Sequence, residues 1–440
     1  MAAYGWNLKD RGEHMRAKEK FTDFVEQKIM PLVSVVSSNK ILLAIRDGLI
    51  LSMPVMIVGS IAIVIGDFPV PAVQAFLASV FGENWNWWNW DVINPATMGL
   101  VAIFTTCGVA YSYAKSHEVE PLPAGILAIV AYFLLLVQMD GGGFSLDSFG
   151  SQGLFMAIIS GLLSSAIYIW LIKKNLVIKM PDSVPISISR SFTAMVPMGV
   201  VVVLFVIIRA VFAMTPYGSA NDFILNVLQL PLLGVGTSFL GTEITAGFFN
   251  TFFWIFGIHG TLIVQSVMQP IWDAAKYANL AAYQSGLQIP YIVTTEYLDH
   301  FVFLTGSGLT LPLCIMCAFR AKSQQLKSLG KLALVPSIFN VNEPIIYGLP
   351  IVMNPIMAIP FFITPMLSIA ISYLAMAWNI VGRPTGVAVP FTTPAPFGGF
   401  LITGDIKVGI LQILILLLAA LIYWPFFKIW DKKCCEEENA

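Results

Sequence analysis

Residues Asn340–Pro350 read NVNEPIIYGLP, and long apolar stretches lie on both sides of them. A single carboxylate, Glu343, stands there beside a proline, which disrupts the interior of a helix but suits its first turn. Asn342 or Glu343 would then cap the helix that Pro344 starts. The stretch therefore predicts a short helix that begins near Pro344 with a carboxylate at its N-terminal end. The surroundings decide whether that end lies in water or in lipid.

The composition of the 440-residue chain is that of a membrane protein. Its residues are 57% hydrophobic and only 11% charged, whereas a soluble domain carries about 25% charged residues. Its apolar runs are long enough to cross a bilayer as helices, and they lack the alternating pattern of a membrane β-barrel. We therefore predict an all-α polytopic membrane protein with about ten transmembrane helices. The predicted spans are residues 41–66, 96–115, 122–139, 153–173, 191–214, 223–240, 261–281, 297–319, 351–378 and 408–428.

The positive charges support this count and orient the chain. Lys and Arg gather in cytoplasmic loops, and most of the 24 basic residues fall on one side of a ten-span arrangement. The predicted loops on the other side, 67–95 and 140–152, contain no Lys or Arg. Both termini are therefore predicted to be cytoplasmic. The formal net charge of −1 provides no basic field for nucleic acid.

The two halves of the chain differ in the continuity of their apolar runs. Gly, Pro, Thr and Asn interrupt the runs beyond about residue 215. Irregular backbone at membrane depth is tolerated only where protein buries it or where it lines a wet cavity, and in transporters it marks the substrate site. The predicted parts are a cytoplasmic N-terminal segment (1–40), a five-helix scaffold and oligomer interface (41–214), a substrate-binding half (215–430) and a cytoplasmic tail (431–440).

Polar side chains concentrate in two of the interrupted segments, NTFFWIFGIHGT (250–261) and NVNEPIIYGLP. An ionisable side chain inside a span is costly and usually marks a pathway or a site. The alternatives are a structural histidine bonded to a carbonyl and a carboxylate that only ends a helix. Carboxylates and amides bond sugar hydroxyls, and a tryptophan covers the apolar face of a sugar, so we predict a neutral polyol as ligand. The predicted contacts are Glu343, His259, Trp254, Asn250, Asn340 and Asn342.

Other kinds of site find no support in the sequence. There is no Walker A loop, HExxH, GxGxxG or G-x-S-x-G motif, and no metal-ligand spacing, so we predict no cofactor and no metal. Cys314 and Cys317 form a CxxC inside an apolar segment, which favours packing residues over a redox pair. Cys434 and Cys435 belong to a polar tail, which we interpret as solvated rather than lipidated.

The segment NEPIIYGLP (342–350) resembles the signature of enzyme IIC, the membrane component of the bacterial phosphotransferase system, in its lactose/cellobiose/diacetylchitobiose family. The resemblance extends in order and spacing from about residue 21 onward. It includes LLAIRDGLILSMPVMIVGS (42–60), KMPDSVPISISRSFTAMVP (179–197), FWIFGIHG (253–260) and the Pro/Gly run near 383–400.

This resemblance implies a bacterial cell-membrane homodimer among membrane lipids, joined through the N-terminal half, with about ten spans and re-entrant hairpins. It implies that a β-linked disaccharide, diacetylchitobiose or cellobiose, is bound from outside and passed inward. A separate enzyme IIB, which carries a phosphocysteine, then phosphorylates the 6-hydroxyl of the sugar.

The resemblance also implies roles for individual residues. Glu343 matches the glutamate that bonds the reacting hydroxyl, and His259 matches the histidine beside it. Asn342 and Trp254 match sugar contacts, and Glu296 is a further correspondence. Phosphoryl transfer depends mostly on positioning and electrostatics, so Glu343 acts either as a general base or only as a positioning group.

Two other functions stay open on the sequence alone. In a proton-coupled secondary sugar transporter, Glu343 and His259 would carry the coupling proton. A membrane-embedded enzyme that acts on lipids would need a nucleophile–base pair or metal ligands, neither of which the sequence contains in recognisable form. The segment 382–400 is either a gate or a rigid loop, since proline fixes φ.

Overall fold

The computed structural model describes residues 31, 35, 38–66, 71–138, 142–181, 186–349, 351 and 354–438. Within these residues every regular element is a helix. A helix pairs its own backbone N–H and C=O groups, for which lipid provides no hydrogen-bond partners. The predicted all-α class is confirmed. Residues 1–30 of the predicted N-terminal segment lie outside the described residues.

From Lys40 onward, the described residues of the first half form six helices of more than ten residues. They are α1 (Lys40–Gly66), α2 (Pro71–Phe81), α3 (Val101–Ser116), α4 (Pro121–Leu135), α5 (Leu154–Lys173) and α6 (Ile186–Ala213). Helical turns from Asn89 lead directly into α3. Helix α3 packs against α1, α4 and α5, and the core between them includes the fully buried Tyr132 and Val101.

Helices α1 and α3 cross where two glycines meet. A Cβ atom on Gly108 would lie 2.5 Å from the carbonyl oxygen of Gly48, and one on Gly48 would lie 2.5 Å from the backbone nitrogen of Val109. Small residues let helix backbones approach closely in membranes, where van der Waals packing is a main source of helix association. The crossing therefore requires that both positions lack a side chain.

Short and bent helices lie among longer ones in the described part of the second half. They are α7 (Ala220–Gly236), α8 (Phe239–Ile255), α9 (Gly260–Gln284), α10 (Leu311–Arg320), α11 (Gln324–Ile338), α12 (Glu343–Gly348), α13 (Pro355–Ala377), α14 (Phe397–Thr403) and α15 (Ile406–Glu438). Helices α7 and α8 each contain a π turn, and they meet at 74°. A helical turn, Thr295–Tyr297, and a π turn, Leu298–Val302, lie between α9 and α10.

In the described part of the chain, six helices are long and apolar enough to cross a membrane, and the bent pair α7–α8 is a seventh candidate, as a broken span or a re-entrant loop. The six helices coincide with the predicted spans 41–66, 96–115, 153–173, 191–214, 351–378 and 408–428. The span predicted at 122–139 is the shorter helix α4, and that at 261–281 is α9.

The predicted continuous span 297–319 is wrong. Gly306 and Gly308, with φ of 88° and 79°, interrupt it, and only α10 remains helical beyond them. The apolar run is nevertheless buried, as Leu304 and Leu309 show with 0% exposure. Protein side chains supply bonds that the helix lacks here, since Asn340 accepts from the N–H of Thr305 and the hydroxyls of Thr364 and Tyr423 donate to the carbonyl of Gly308.

The cysteines of the CxxC pair belong to the core, as predicted. Both are free thiols with 0% exposure. The sulfur of Cys314 lies 3.1 Å from the hydroxyl of Ser337 on α11. The pair thus packs α10 against α11.

The C-terminal residues form a helix that is exposed at Lys432, Lys433 and Glu436–Glu438, as predicted for a solvated tail, but not along its whole surface. Helix α15 continues to Glu438, and Cys434 on it is buried. Asp431 accepts a hydrogen bond from the N–H of Ser323 at 3.0 Å, and Glu438 accepts one from the N–H of Gln325 at 2.9 Å. These carboxylates accept hydrogen bonds from N–H groups at the start of α11 that have no partner within that helix. The bonds hold the end of α15 against α11.

Hydrogen bonds that join the two halves include two from the second half to the first. The side-chain amide of Gln229 donates to the carbonyl of Ser151 at 3.0 Å. The N–H of Ala388 donates to the hydroxyl of Ser60 at 2.9 Å. The second bond places the Gly/Pro-rich segment 382–400 against scaffold helix α1.

We predict that Gly108→Ala lowers the thermal stability of the purified protein. The added methyl group would press on the backbone of α1, and such overpacking costs about 1–3 kcal/mol. Gly199→Ala on α6 is the matched control, because a Cβ there meets nothing within 4 Å. Melting temperatures in detergent would test this, and a Gly108→Ala protein as stable as the control would contradict it.

Candidate functional site

His259 and Glu343 come together from different helices. His259 Nε2 lies 3.8 Å from Glu343 Oε1, and their side chains are 36% and 44% exposed. The ring of buried Trp254 lies 4.4 Å from that of His259, and Tyr347 stands edge-on to Trp254 at 6.0 Å. We call Trp254, His259, Glu343 and Tyr347 the aromatic–carboxylate cluster. It combines an apolar wall with groups that a ligand can reach.

A tight turn between α8 and α9 sets the position of His259. Gly257 in this turn has φ of 76°, which glycine adopts without strain. His259 caps α9, and its Nδ1 accepts a hydrogen bond from the N–H of Leu262 at 3.4 Å. A neutral ring whose Nδ1 accepts carries its proton on Nε2. That N–H therefore belongs to the nitrogen nearest Glu343.

Thr261 ties the start of α9 to α8. Its hydroxyl donates to the side-chain oxygen of Asn250 at 2.9 Å and lies 3.1 Å from the hydroxyl of Ser307. The indole N–H of Trp254 donates to the same hydroxyl at 3.4 Å. A Cβ atom on Gly260 would overlap the carbonyl oxygen of Asn250. The two helices are thus in backbone contact beside the cluster.

Helix α12 places Glu343. It begins at Glu343 with Pro344 in its first turn, which confirms the predicted short helix. The predicted capping by Asn342 is wrong, because the side chain of Asn342 does not bond the helix N-terminus. Its amide hydrogens go to the carbonyl of Ser307 and the hydroxyl of Thr310, both at 2.7 Å. Asn342 therefore anchors α12 to the loop before α10.

Asn340 joins three interrupted segments. It adopts a φ of 62°, a left-handed conformation that asparagine tolerates better than most residues. Its side-chain oxygen accepts from the N–H of Thr305 at 2.6 Å. Its side-chain nitrogen donates to the carbonyls of Phe391 and Thr393 in the segment 382–400. One amide thus connects the approach to α12 with the loop before α10 and with the Gly/Pro-rich segment.

Glu296 pairs with a lysine. Its Oε1 lies 2.5 Å from Lys276 Nζ, and both residues are buried. Asp273, one turn earlier on α9, accepts from the hydroxyl of Thr295 at 2.6 Å. This network attaches the turn at Thr295 to α9. Among the described residues, no hydrogen bond or ion pair joins Glu296 to the aromatic–carboxylate cluster.

Two buried polar atoms near the cluster have no hydrogen-bond partner within the described residues. They are the side-chain nitrogen of Asn250 and Oε2 of Glu343. A buried polar atom without a partner costs roughly 1–3 kcal/mol. A sugar hydroxyl both donates and accepts, so it would satisfy either group once the site opens enough to admit it. Since no Lys or Arg belongs to the cluster, the arrangement favours a neutral polyol over an anion.

Sequence reasoning missed Thr261, Ser307 and Lys276. Thr261 is the last residue of NTFFWIFGIHGT (250–261), the segment in which polar side chains concentrate, and this position could have indicated it. Lys276 is a charge inside the predicted span 261–281, and such a charge indicates a buried partner. Ser307 lies in the run interpreted as one continuous helix, 297–319, although the flanking Gly306 and Gly308 in TGSGLT (305–310) are a turn signal that could have located it.

Similarity to known proteins extends over most of the chain. The sequence model of the family described as "Phosphotransferase system, EIIC" matches residues 46–365. The PTS system cellobiose-specific EIIC component of Geobacillus stearothermophilus is 40% identical over 440 residues, which cover 96% of this chain and 97% of that protein. The lichenan permease IIC component of Bacillus subtilis (strain 168) is 39% identical over 439 residues, with 96% of each chain covered.

A solved structure is similar along nearly the whole chain. It is the crystal structure of the transporter ChbC, the IIC component from the N,N'-diacetylchitobiose-specific phosphotransferase system. The TM-score is 0.90 at 40% sequence identity, with 95% of this chain and 99% of that chain covered. The bent and interrupted helices of the second half are therefore part of a fold already observed in a transporter.

We predict that Gly260→Ala weakens sugar binding by about tenfold or more. The new methyl group would overlap the backbone of α8 and move His259 relative to Trp254, and small misplacements in a preorganised site are costly. Gly234→Ala on α7 is the matched control, since a Cβ there meets nothing within 4 Å. Equilibrium binding of labelled sugar to both proteins would test this, and equal affinities would contradict it.

Proposed function

The chain belongs to the phosphotransferase system EIIC family, and from this premise we propose that its aromatic–carboxylate cluster binds a β-linked disaccharide for phosphorylation during inward transport. As an EIIC protein it is a membrane permease component of that system. The approach of His259 to Glu343 beside buried Trp254 carries the proposal. Relatives named for cellobiose, lichenan and diacetylchitobiose support cellobiose or diacetylchitobiose as the substrate.

The proposed sugar contacts follow from the chemistry of the side chains. Tyr347, which is 57% exposed, would cover the apolar face of a sugar ring, and buried Trp254 would contact the sugar once the site opens around it. Glu343, whose side chain is 44% exposed, would accept a hydrogen bond from the 6-hydroxyl, and on the same opening the amide nitrogen of Asn250 would donate to another hydroxyl. His259 would hold the reacting oxygen through its Nε2–H.

Three further predicted residues enter the proposal through the groups they position. Asn342 and Asn340 use their amide hydrogens inside the protein. They would keep Glu343 in place, and Asn342 lies directly before it. Glu296, paired with Lys276, would hold the turn at Thr295 against α9.

The transfer step needs a nucleophile and a donor. The 6-hydroxyl oxygen of the sugar attacks the phosphorus of the phosphocysteine on enzyme IIB, the S–P bond breaks and an O–P bond forms. The hydroxyl proton passes to Glu343, and the thiolate of enzyme IIB leaves. General-base assistance contributes about 10²–10⁴-fold, and the remaining catalysis is alignment of the two reactants.

The donor is proposed to be a separate enzyme IIB that binds transiently on the cytoplasmic side. Cys434 lies buried in α15, and Cys435 is next to it on the same helix, which supports a structural role for both. The asymmetry of Lys and Arg supports cytoplasmic termini. The close glycine packing of the first half supports a rigid scaffold, and we propose that residues 41–214 form the interface of a homodimer.

We predict that vesicles containing this protein convert labelled cellobiose or diacetylchitobiose into an internal sugar 6-phosphate. The reaction should require phosphorylated enzyme IIB and should persist when a protonophore collapses the proton gradient. Mass analysis of the internal sugar, with and without enzyme IIB, is the measurement. Internal sugar without phosphate, lost on addition of protonophore, would favour the proton-coupled alternative, and no binding of either sugar would exclude the proposed sugar class.

We predict that Glu343→Gln lowers the rate of sugar phosphorylation by about 10²–10⁴-fold while sugar binding is partly retained. Glutamine keeps the shape and a hydrogen bond but cannot take the proton. The rate of 6-phosphate formation and the sugar Kd are measured together, with Glu83→Gln, an exposed carboxylate, as the control. Unchanged phosphorylation by Glu343→Gln would remove the catalytic role.

A further inference from the structure

A cavity of about 320 Å³ lies between the ends of α3 and α5 in the scaffold. Its lining combines apolar, aromatic and basic side chains. The residues that line it are Tyr113, His117, Ala166, Ile169, Trp170, Lys173 and Lys174. None of them belongs to the aromatic–carboxylate cluster, so the cavity is separate from the proposed sugar site.

The cavity lies where two membrane helices reach the same membrane surface. Helix α3 ends at Ser116 and α5 ends at Lys173, and the two helices pack against each other. Trp170 is 56% exposed, and exposed tryptophans near span ends lie at the level of lipid headgroups. The charge asymmetry of the chain puts this surface on the cytoplasmic side. The cavity therefore faces the headgroup layer.

The two lysines of the cavity lack acidic partners. Neither Lys173 nor Lys174 forms an ion pair within the described residues, and both are exposed. The neighbouring carboxylates of Glu118 and Glu120 do not line the cavity. His117 is fixed beside the lysines, because its Nδ1 donates to the carbonyl of Tyr113 at 2.9 Å. Two exposed cations and an imidazole held by its hydrogen bond thus share one concave site.

We propose that this cavity binds the phosphate headgroup of an anionic phospholipid from the cytoplasmic leaflet. Lysines beside a bilayer attract anionic headgroups, and basic pockets between membrane helices bind them. The apolar side of the cavity, Ala166 and Ile169 with Trp170 at its edge, suits the first part of an acyl chain. A free phosphate ion would contact only the lysines, whereas a phospholipid would also contact the apolar side chains. The mixed lining therefore favours a lipid.

The test compares lipid retention by purified full-length protein in detergent. Native mass spectrometry with phosphatidylglycerol and phosphatidylcholine should show preferential retention of phosphatidylglycerol. Because each lysine near the surface contributes about 1 kcal/mol to such binding, Lys173→Gln/Lys174→Gln should weaken it by roughly tenfold or more. Lys327→Gln/Lys331→Gln on α11 removes the same charge elsewhere and should retain binding.

Further variants separate binding from folding. Lys173→Arg/Lys174→Arg keeps both charges and should retain the lipid, and sugar binding by every variant reports a folded protein. Equal retention of the two lipids by wild type, or unchanged retention by Lys173→Gln/Lys174→Gln, would overturn the proposal. Displacement of the lipid by millimolar inorganic phosphate would assign the cavity to a soluble anion and overturn it as well. A disulfide between two copies of the Trp170→Cys protein would place the cavity in a protein interface and would also overturn the proposal.

Discussion

The constraint on which this structure depends is that lipid offers no hydrogen bonds to an interrupted backbone. The second half has several interruptions, and protein side chains satisfy them. Asn340 bonds backbone groups of two other segments, and Asn342 bonds the backbone at Ser307. Each interruption is therefore stable only while the others are in place, and this mutual dependence makes the irregular region a single packed unit.

The candidate site results from the same bonds. Glu343 follows Asn342 directly, so the amide that closes the loop before α10 also positions the carboxylate. His259 comes from another interruption, where Gly257 turns the chain and Gly260 lets α9 touch α8. The two ionisable groups meet because two breaks in the helices meet. A continuous helix at either place would pair its backbone N–H and C=O groups with one another, and it would leave no concave site.

The scaffold follows a different principle. Its helices α1 and α3 pack through small residues, Gly48 and Gly108, which bring backbones into contact without buried charge. Such packing depends on the shape of the helices. The more polar second half contacts this half, for example through the hydrogen bond from the N–H of Ala388 to the hydroxyl of Ser60. The cavity at Lys173 and Lys174 lies in this half, so the proposed lipid would act on the scaffold rather than on the sugar.

The sequence by itself determined the class of the fold, the positions of most long spans, the interrupted second half and the polar residues that meet in the candidate site. Hydropathy, charge and the NEPIIYGLP segment are local properties, and the bilayer acts on them directly. Only the tertiary structure decided that the broken run 297–319 is buried, that α15 continues to Glu438 and that Glu296 meets Lys276. Those outcomes depend on partners distant in sequence. Other parts of the protein bury the interrupted apolar run 297–319. The N–H groups at the start of α11 bind the carboxylates of Asp431 and Glu438, and buried Lys276 requires Glu296 as its counter-ion. A pattern of neighbouring residues contains none of these contacts, because they exist only once the chain has folded.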